Sequence, residues 1–326
     1  MELLRLITAG SVDDGKSTLI GRLLFDSKAL LQDQLNTLEK SSRKKGLSYL
    51  DFSLVTDGLK DELEQGITID IAHRYFTTGN RKYILADTPG HVQYTRNFVT
   101  AASTANLAVI LIDARKGVVE QTRRHSLIAS LMGIKHLVFC INKMDLVSYD
   151  QQVFNNIRAD IEELSAKLEV HDIRYIPVSA LYGDNIVSHS EKMLWYTGWG
   201  LLETLENIHI SSDRNLTDGR FPVQTVIRVN NNEVRDYRAC AGQVASGIFR
   251  TGDEIVVLPS GMECSISRIE LAGKPLSEAM PPMSVSIILD KDIDISRGNI
   301  IVKKNNRPQG ARHIDALICC LDEKNL

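Results

Sequence analysis

The residues whose types and spacing could do chemistry begin near the amino terminus. Residues 10–17 read Gly-Ser-Val-Asp-Asp-Gly-Lys-Ser and match G-x-x-x-x-G-K-[ST] between a predicted strand and a predicted helix. Such a loop turns its backbone N–H groups onto phosphate oxygens, while its lysine reaches the β- and γ-phosphates and its serine binds Mg²⁺. A glycine-rich turn without a ligand is the alternative, and the lysine and serine argue against it. The predicted phosphate-binding residues are Gly10, Ser11, Val12, Asp13, Asp14, Gly15, Lys16, Ser17 and Thr18.

Two segments downstream predict the machinery of hydrolysis. Residues 87–91 (Asp-Thr-Pro-Gly-His) follow a predicted strand; Asp87 can hold Mg²⁺ through a water, the Gly90 N–H can approach the γ-phosphate, and His91 can orient or polarise the attacking water. Between this segment and the phosphate loop, the Thr68 hydroxyl and carbonyl could close over Mg²⁺ and γ-phosphate. Alone, each segment would be an ordinary turn or strand entry. Together they predict the catalytic residues His91, Lys16 and Thr68 and the metal-binding residues Ser17, Thr68 and Asp87.

The base-reading residues predict which nucleotide binds. Asn142, Lys143 and Asp145 follow an apolar strand. The Asp145 carboxylate can accept hydrogen bonds from guanine N1–H and the 2-amino group, while Lys143 lies under the ring. Adenine would leave that carboxylate unpaired, at a cost of about 1–3 kcal/mol or more. The tripeptide Ser179-Ala180-Leu181 could donate a backbone N–H to guanine O6. The predicted nucleotide pair is therefore GTP and GDP.

The elements that must position these residues fall into two patterns. Buried strands are predicted at 3–9, 83–87, 107–113, 137–142 and 175–178, with helices at 16–24, 121–131 and 150–168, which indicates a doubly wound, mostly parallel α/β sheet. After a polar stretch at 211–220, strand-like runs at 221–229, 235–244, 254–258, 262–271, 285–289 and 300–302 indicate a small β-barrel. A further run at 314–321 resembles the start of a truncated third domain. The predicted domains are 1–212, 213–303 and 304–326.

The composition excludes several classes of protein. The longest apolar run, residues 107–112 of the 326, is far too short to span a bilayer, so no membrane association is expected. A net charge of -3 argues against a dedicated nucleic-acid binder. The chain shows no leader pattern, and its cysteines lack metal-type spacing, so we expect reduced core thiols in a cytoplasmic protein. These cysteines are Cys140, Cys240, Cys264, Cys319 and Cys320.

Some charged clusters have competing interpretations. Asp13 lies in the phosphate loop, which indicates either a K⁺ or Na⁺ site near Asp13 and Gly66 or a hydrogen bond to the switch backbone. The segment 123–125 (Arg-Arg-His) forms either a surface for an acidic partner or a solvated helix face. The aspartates at 290, 292 and 294 lack the glycine and glutamate of a calcium loop, and the basic residues around 303–312 are too few to indicate nucleic acid.

The ordered set of motifs resembles the translation-factor group of P-loop GTPases over nearly the whole chain. Within that group, residues 10–24, 57–62, 93–97, 113–117 and 121–126 resemble the large, GTPase subunit of bacterial sulfate adenylyltransferase. The resemblance implies a small partner subunit that joins sulfate to AMP from ATP, with GTP hydrolysis driving this step in sulfate assimilation. Leu63 and Val92 differ from the family pattern beside the switch segments. The properties that these two differences would affect are the ordering of the switch loops and the coupling to the partner subunit.

Two other functions are compatible with a GTPase core. The chain could be an elongation-factor-like switch that carries aminoacyl-tRNA, or a GTPase regulator without metabolic output. The core motifs are common to all three functions. Only the residues flanking the motifs favour sulfate adenylylation.

Overall fold

The computed structural model describes residues 2–30, 32–44, 46, 50–55, 71–170, 172–210, 214–229, 237–311, 313 and 315. Contacts divide the chain into two compact units after Ile210. Several features predicted from the sequence lie outside the described residues: Thr68, the segments 57–62 and 66–70, and most of the run at 314–321. The domain limits at 212 and 303 stay predictions.

A six-stranded sheet forms the centre of the first unit. Five neighbouring strands are parallel, and the edge strand β2 runs antiparallel to β3, in the order β2-β3-β1-β4-β5-β6. The strands are β1 Glu2–Ala9, β2 Ala72–Thr77, β3 Arg81–Asp87, β4 Leu107–Asp113, β5 His136–Asn142 and β6 Asp172–Pro177. The mostly parallel α/β sheet is confirmed, and β2 is the strand that the sequence did not indicate.

Helices cover both faces of this sheet. Leu19 of α1 and Leu205 of α6 pack on one face, while Phe98 of α3, Ile128 of α4 and Ile157 of α5 pack on the other. Since β4 and β5 are buried along their whole length, their near-continuous apolar sequences follow from this double cover. The described helices are α1 Lys16–Asp26, α2 Gln32–Lys44, α3 Thr95–Ala102, α4 Glu120–Leu131, α5 Gln151–Ser165 and α6 Leu201–Asn207.

The second unit is a closed antiparallel barrel. Six of its strands pair in the order β10-β15-β7-β8-β14-β11, and β11 pairs again with β10, which closes the barrel. Its interior holds fully buried side chains such as Phe221, Phe249 and Ile287. The predicted small β-barrel is confirmed. Its strands and the short strands beside it are β7 Arg220–Val229, β8 Tyr237–Gln243, β9 Phe249–Arg250, β10 Glu254–Leu258, β11 Met262–Leu271, β12 Lys274–Leu276, β13 Glu278–Ala279, β14 Ser284–Leu289 and β15 Ile300–Lys303.

Charged clusters on the barrel are internally paired. Lys304 lies 3.2 Å from Glu263, which also pairs with Arg307, and Asp292 pairs with Arg238. Among the described residues of this basic cluster, Lys304 and Arg307 are thus paired with local carboxylates.

Three of the five cysteines lie in the described residues, and all three are buried free thiols, as expected: Cys140, Cys240 and Cys264. Burial raises the pKa of Cys264 to about 11, so this thiol stays protonated near neutral pH. Among the helices that the structure describes, none combines the length and the apolar character needed to cross a bilayer.

Candidate functional site

The phosphate loop joins the end of β1 to the start of α1 at the carboxyl edge of the parallel sheet. Gly15 immediately precedes α1 with φ +93°, in the left-handed region, and no described side chain caps the helix. The first N–H groups of a helix have no partner within it and carry its positive dipole end, so they are available to an anion. Ser17 and Thr18 directly follow Lys16 in the sequence and lie in the first turn of α1.

Inside this loop, Asp14 and Lys16 are both buried. The Ser11 N–H donates to the Asp14 carboxylate at 2.6 Å, so this side chain braces the curl of the loop. The Lys16 ammonium donates to the carbonyls of Gly10 at 3.1 Å and Ser11 at 2.9 Å. Burial lowers the pKa of Lys16, an effect opposed by Asp87, Asp14 and Asp13. Within the part of the chain that the structure describes, the hydrogen bonds of this ammonium go to two backbone carbonyls, so its charge is available to an anion such as a phosphate.

Asp87 and Gly90 approach the loop from the neighbouring strand β3. Asp87 is buried, and the Thr8 hydroxyl donates to its carboxylate at 3.1 Å. A Cβ placed on Gly90 would lie 2.4 Å from the Lys16 ammonium nitrogen and 2.9 Å from the Gly10 carbonyl oxygen. Only glycine permits this close approach, which brings the Gly90 backbone against the phosphate loop.

His91 is exposed at the start of the chain segment that leads into α3. The Gln93 N–H donates to His91 Nδ1 at 3.3 Å, and the imidazole lies 6.0 Å from the Tyr94 ring. Because Nδ1 accepts this hydrogen bond, the neutral ring carries its proton on Nε2. In this tautomer His91 can donate a hydrogen bond to a water oxygen, so it can orient a water molecule.

Asn142 connects the phosphate loop to the base-reading loop. Its side-chain amide donates to the Asp14 carbonyl at 2.8 Å, and its side-chain oxygen accepts from the Ala180 N–H at 2.9 Å. A Cβ on Gly15 would lie 2.5 Å from the Asn142 amide nitrogen, so the glycine is required by this contact as well as by its φ. One side chain at the end of β5 therefore fixes the spacing of two loops.

Lys143 and Asp145 follow Asn142 at the same edge. Lys143 donates to the Asp13 carbonyl and, at 3.0 Å, to the Asp113 carboxylate. The Ser179 hydroxyl donates to one oxygen of Asp145 at 2.6 Å, and no hydrogen bond to the other oxygen occurs among the described residues. The structure thus brings together the phosphate loop, Asp87, Gly90, His91 and the base-reading residues; Thr68 lies outside the described residues.

Two residues in this site were not assigned from the sequence. Arg22 on α1 donates to the Leu181 carbonyl at 3.3 Å and to Asp26 at 2.8 Å, and it holds the base-reading loop against α1. Asp113 ends β4, where it contacts Lys143 and Arg115. The available signal was position: Asp113 ends a strand adjacent to β5, so it reaches the same edge of the sheet as Asn142.

The interpretation of 123–125 as a partner-binding or solvated face is wrong for His125. This residue is fully buried on α4, its ring centroid lies 4.6 Å from that of Phe98, and its Nε2 lies 3.1 Å from the Gln121 amide. Burial lowers the pKa of His125 to about 3, so the ring is neutral. Because helical periodicity points His125 to the core while Arg123 remains exposed, the three neighbouring residues cannot share one surface.

The fold and this edge of the sheet define a P-loop GTPase of the translation-factor type. Residues 1–214 match the family described as elongation factor Tu GTP binding domain. A Mycobacterium tuberculosis protein named bifunctional enzyme CysN/CysC is 56% identical over 97% of this chain and 52% of its own length. Sulfate adenylyltransferase subunit 1 of Bacteroides fragilis is 53% identical over 99% of this chain and 67% of its own length. The chain belongs to the sulfate adenylyltransferase subunit 1 family of GTP-binding proteins.

The structural comparison supports the fold. The GTPase-like domain of Ski7 from S. cerevisiae, solved with GDP and inorganic phosphate, aligns with a TM-score of 0.56 at 20% identity, over 94% of this chain and 76% of that one. The chain spans about half the length of the first curated relatives it matches.

Proposed function

We propose that this chain is the GTP-hydrolysing part of a sulfate adenylyltransferase. In this reaction a smaller partner subunit joins sulfate to the AMP moiety of ATP, giving adenylyl sulfate and pyrophosphate, and GTP cleavage drives the unfavourable equilibrium. The observation that carries the proposal is the convergence of a phosphate loop and an Asn-Lys-x-Asp segment at one sheet edge, in a chain 53% identical to a sulfate adenylyltransferase subunit 1. Only one G-x-x-x-x-G-K-[ST] motif occurs in the sequence, so we assign ATP to the partner.

The residues of this chain have separable roles in GTP cleavage. The Lys16 ammonium would exchange its carbonyl hydrogen bonds for oxygens of the β- and γ-phosphates, where it stabilises developing negative charge. The Gly90 N–H would donate to the γ-phosphate, a role supported by the lack of room for a Cβ between Gly90 and the phosphate loop. His91 would orient the attacking water through Nε2–H. Asp145 and Lys143 select the guanine base.

The donor set at this edge fits Mg²⁺. Ser17 and Asp87 supply oxygen ligands, directly or through water, and Thr68 is the proposed third residue. When bound there, the metal would supply positive charge that offsets the charge of the nucleotide phosphates. Asp87 ends β3 beside the phosphate loop, and a carboxylate oxygen is a ligand that Mg²⁺ prefers.

The partner dependence of the reaction is a direct test. The chain alone should hydrolyse GTP slowly and form no adenylyl sulfate, because the residues for ATP and sulfate are assigned to the small subunit. Adding a co-expressed small subunit from the same genome should stimulate GTP hydrolysis by at least about tenfold and produce adenylyl sulfate. Radiolabelled sulfate incorporation and phosphate release would be measured in parallel.

Lys16→Ala with the partner serves as the control and should form adenylyl sulfate no faster than the partner without GTP. Adenylyl sulfate formed by the purified chain alone would contradict the proposal. GTP-dependent binding of aminoacyl-tRNA, without any effect of the small subunit, would instead support the elongation-factor-like function.

A monovalent cation near Asp13 is a second proposal for this loop. Asp13 is exposed with φ +68°, and its carboxylate would lie beside the nucleotide phosphates, where K⁺ or Na⁺ would reduce repulsion. Replacing K⁺ by a large organic cation at fixed ionic strength should lower the GTPase rate, and Asp13→Asn should remove that dependence. An unchanged rate in the wild-type protein would refute the cation site.

A further inference from the structure

Asp113 occupies an unusual position at the base-reading edge of the sheet. Its side chain is fully buried, whereas the side chain of its partner Arg115 is 47% exposed. Arg115 donates to the carboxylate through Nε at 3.0 Å and Nη2 at 2.6 Å, and its backbone N–H adds a third bond at 3.0 Å. Lys143 donates to the same carboxylate at 3.0 Å. One buried carboxylate thus binds two cationic side chains.

Asp113 is ionised, and it is one of two carboxylates near Arg115. Burial alone would raise the pKa of Asp113, yet the hydrogen bonds from Arg115 and Lys143 hold it well below its ordinary value, so the carboxylate is ionised. Arg115 and Lys143 bind the same Asp113 carboxylate, and Asp145 follows Lys143 by two residues, so Arg115 lies beside the segment that carries Asp145. Asp113 chiefly, and Asp145 to a smaller extent, raise the pKa of the Arg115 guanidinium. Arg115 therefore has two carboxylates within electrostatic reach and is hydrogen-bonded to only one of them.

The backbone conformation of Lys143 gives its contact with Asp113 a second role. Lys143 has φ +64°, in the left-handed region, where the chain turns sharply out of β5. A non-glycine residue in this conformation costs about 1–2 kcal/mol, so its side-chain contacts help to maintain the turn. The Lys143 ammonium is held between the Asp13 carbonyl and the Asp113 carboxylate.

We propose that Asp113 is a positioning residue that determines base specificity: it holds Lys143 in place and withholds Arg115 from Asp145, so that the Asp145 carboxylate remains available to guanine. This inference rests on the proposed guanine recognition by Asp145. Without the Asp113 charge, Arg115 would pair with Asp145. That pairing would compete with the guanine 2-amino group for the same carboxylate.

The test compares GTP with inosine triphosphate, whose base keeps N1–H but lacks the 2-amino group. Titration of the purified full chain should give a wild-type preference for GTP of about tenfold or more. In Asp113→Asn the preference should fall to about threefold or less, with GTP affinity reduced by about tenfold. The double variant Asp113→Asn/Arg115→Ala should recover the preference, because the competing guanidinium is gone.

Asp172→Asn is a matched control, since Asp172 accepts hydrogen bonds from His136 at 2.7 Å and Arg174 at 3.2 Å at the opposite end of a strand. This control should leave the nucleotide preference unchanged. Wild-type preference in Asp113→Asn, or no recovery in the double variant, would overturn the inference.

A folding failure of Asp113→Asn would move the test to Asp113→Glu, which keeps the charge but displaces the carboxylate. Asp113→Glu should lose at least about threefold of the preference, and an unchanged preference would overturn the inference. A wild-type chain that does not prefer GTP over inosine triphosphate would refute the proposed base recognition itself, independently of Asp113.

Discussion

Asp145→Asn is expected to exchange the base specificity of the site from guanine to xanthine. The carboxylate can accept from both guanine N1–H and the 2-amino group, and each hydrogen bond to a charged group contributes about 1.5–3 kcal/mol. Asparagine keeps an oxygen that accepts from N1–H but turns an N–H donor toward the 2-amino group, so the loss of one such hydrogen bond should lower GTP affinity by about one to two orders of magnitude. The new amide can accept from xanthine N1–H and donate to its 2-keto oxygen, so xanthosine triphosphate should gain affinity. Calorimetric titration with both nucleotides measures the exchange.

Asp150→Asn provides the matched control for this substitution. Asp150 lies five residues further along the chain and caps α5 by accepting from the Gln152 N–H at 2.7 Å. Asparagine caps a helix about as well as aspartate, so neither fold nor nucleotide choice should change. If Asp145→Asn still preferred GTP, Asp145 would not be the base-reading residue.

His91→Ala should retain near-normal affinity for GTP and GDP while losing about two or more orders of magnitude in hydrolysis. The imidazole is exposed and contacts Gln93 and Tyr94, whereas the groups that hold the phosphates lie in the loop. We therefore expect the His91 side chain to act on the attacking water and not on nucleotide binding. Single-turnover hydrolysis with the partner, together with nucleotide titration, separates the rate from the affinity.

Three further variants sharpen this experiment. His91→Gln can still donate a hydrogen bond and should recover part of the rate. Lys16→Ala should lose both affinity and rate, because the ammonium binds the ground state as well as the transition state. His189→Ala, an exposed histidine 3.5 Å from Glu203, should behave as wild type. A wild-type single-turnover rate in His91→Ala would show that another group orients the water.

Much of the first unit follows from its sequence because apolar runs coincide with buried parallel strands. β4 was expected at 107–113 and spans Leu107–Asp113, where every residue is buried on both faces. β2 (Ala72–Thr77) was not expected because it is an edge strand: only Phe76 is buried, and the neighbouring side chains are partly or fully exposed. Its sequence therefore lacks the apolar run that identified the other strands.

The site shows a similar contrast. The predicted phosphate and base motifs are local in sequence, so their glycines, lysines and carboxylates could be placed at the sheet edge in advance. Asp113 could not be assigned because its contact with Lys143 spans 30 residues and depends on the order of β4 and β5 in the sheet. His125 could not be assigned because the charges around it suggested a surface, while α4 turns that one side chain into the core.

The bridging amide of Asn142 also bears on how a bound nucleotide leaves. It donates to the Asp14 carbonyl of one loop and accepts from the Ala180 N–H of the other. Opening either loop alone would break one of these hydrogen bonds, while the other loop would still bind the phosphates or the base of the nucleotide. Asn142 therefore couples the opening of one loop to that of the other through two hydrogen bonds, each worth about 0.5–1.5 kcal/mol. A factor that displaced this single amide would loosen the phosphate and base ends at once, and would thereby act as an exchange catalyst.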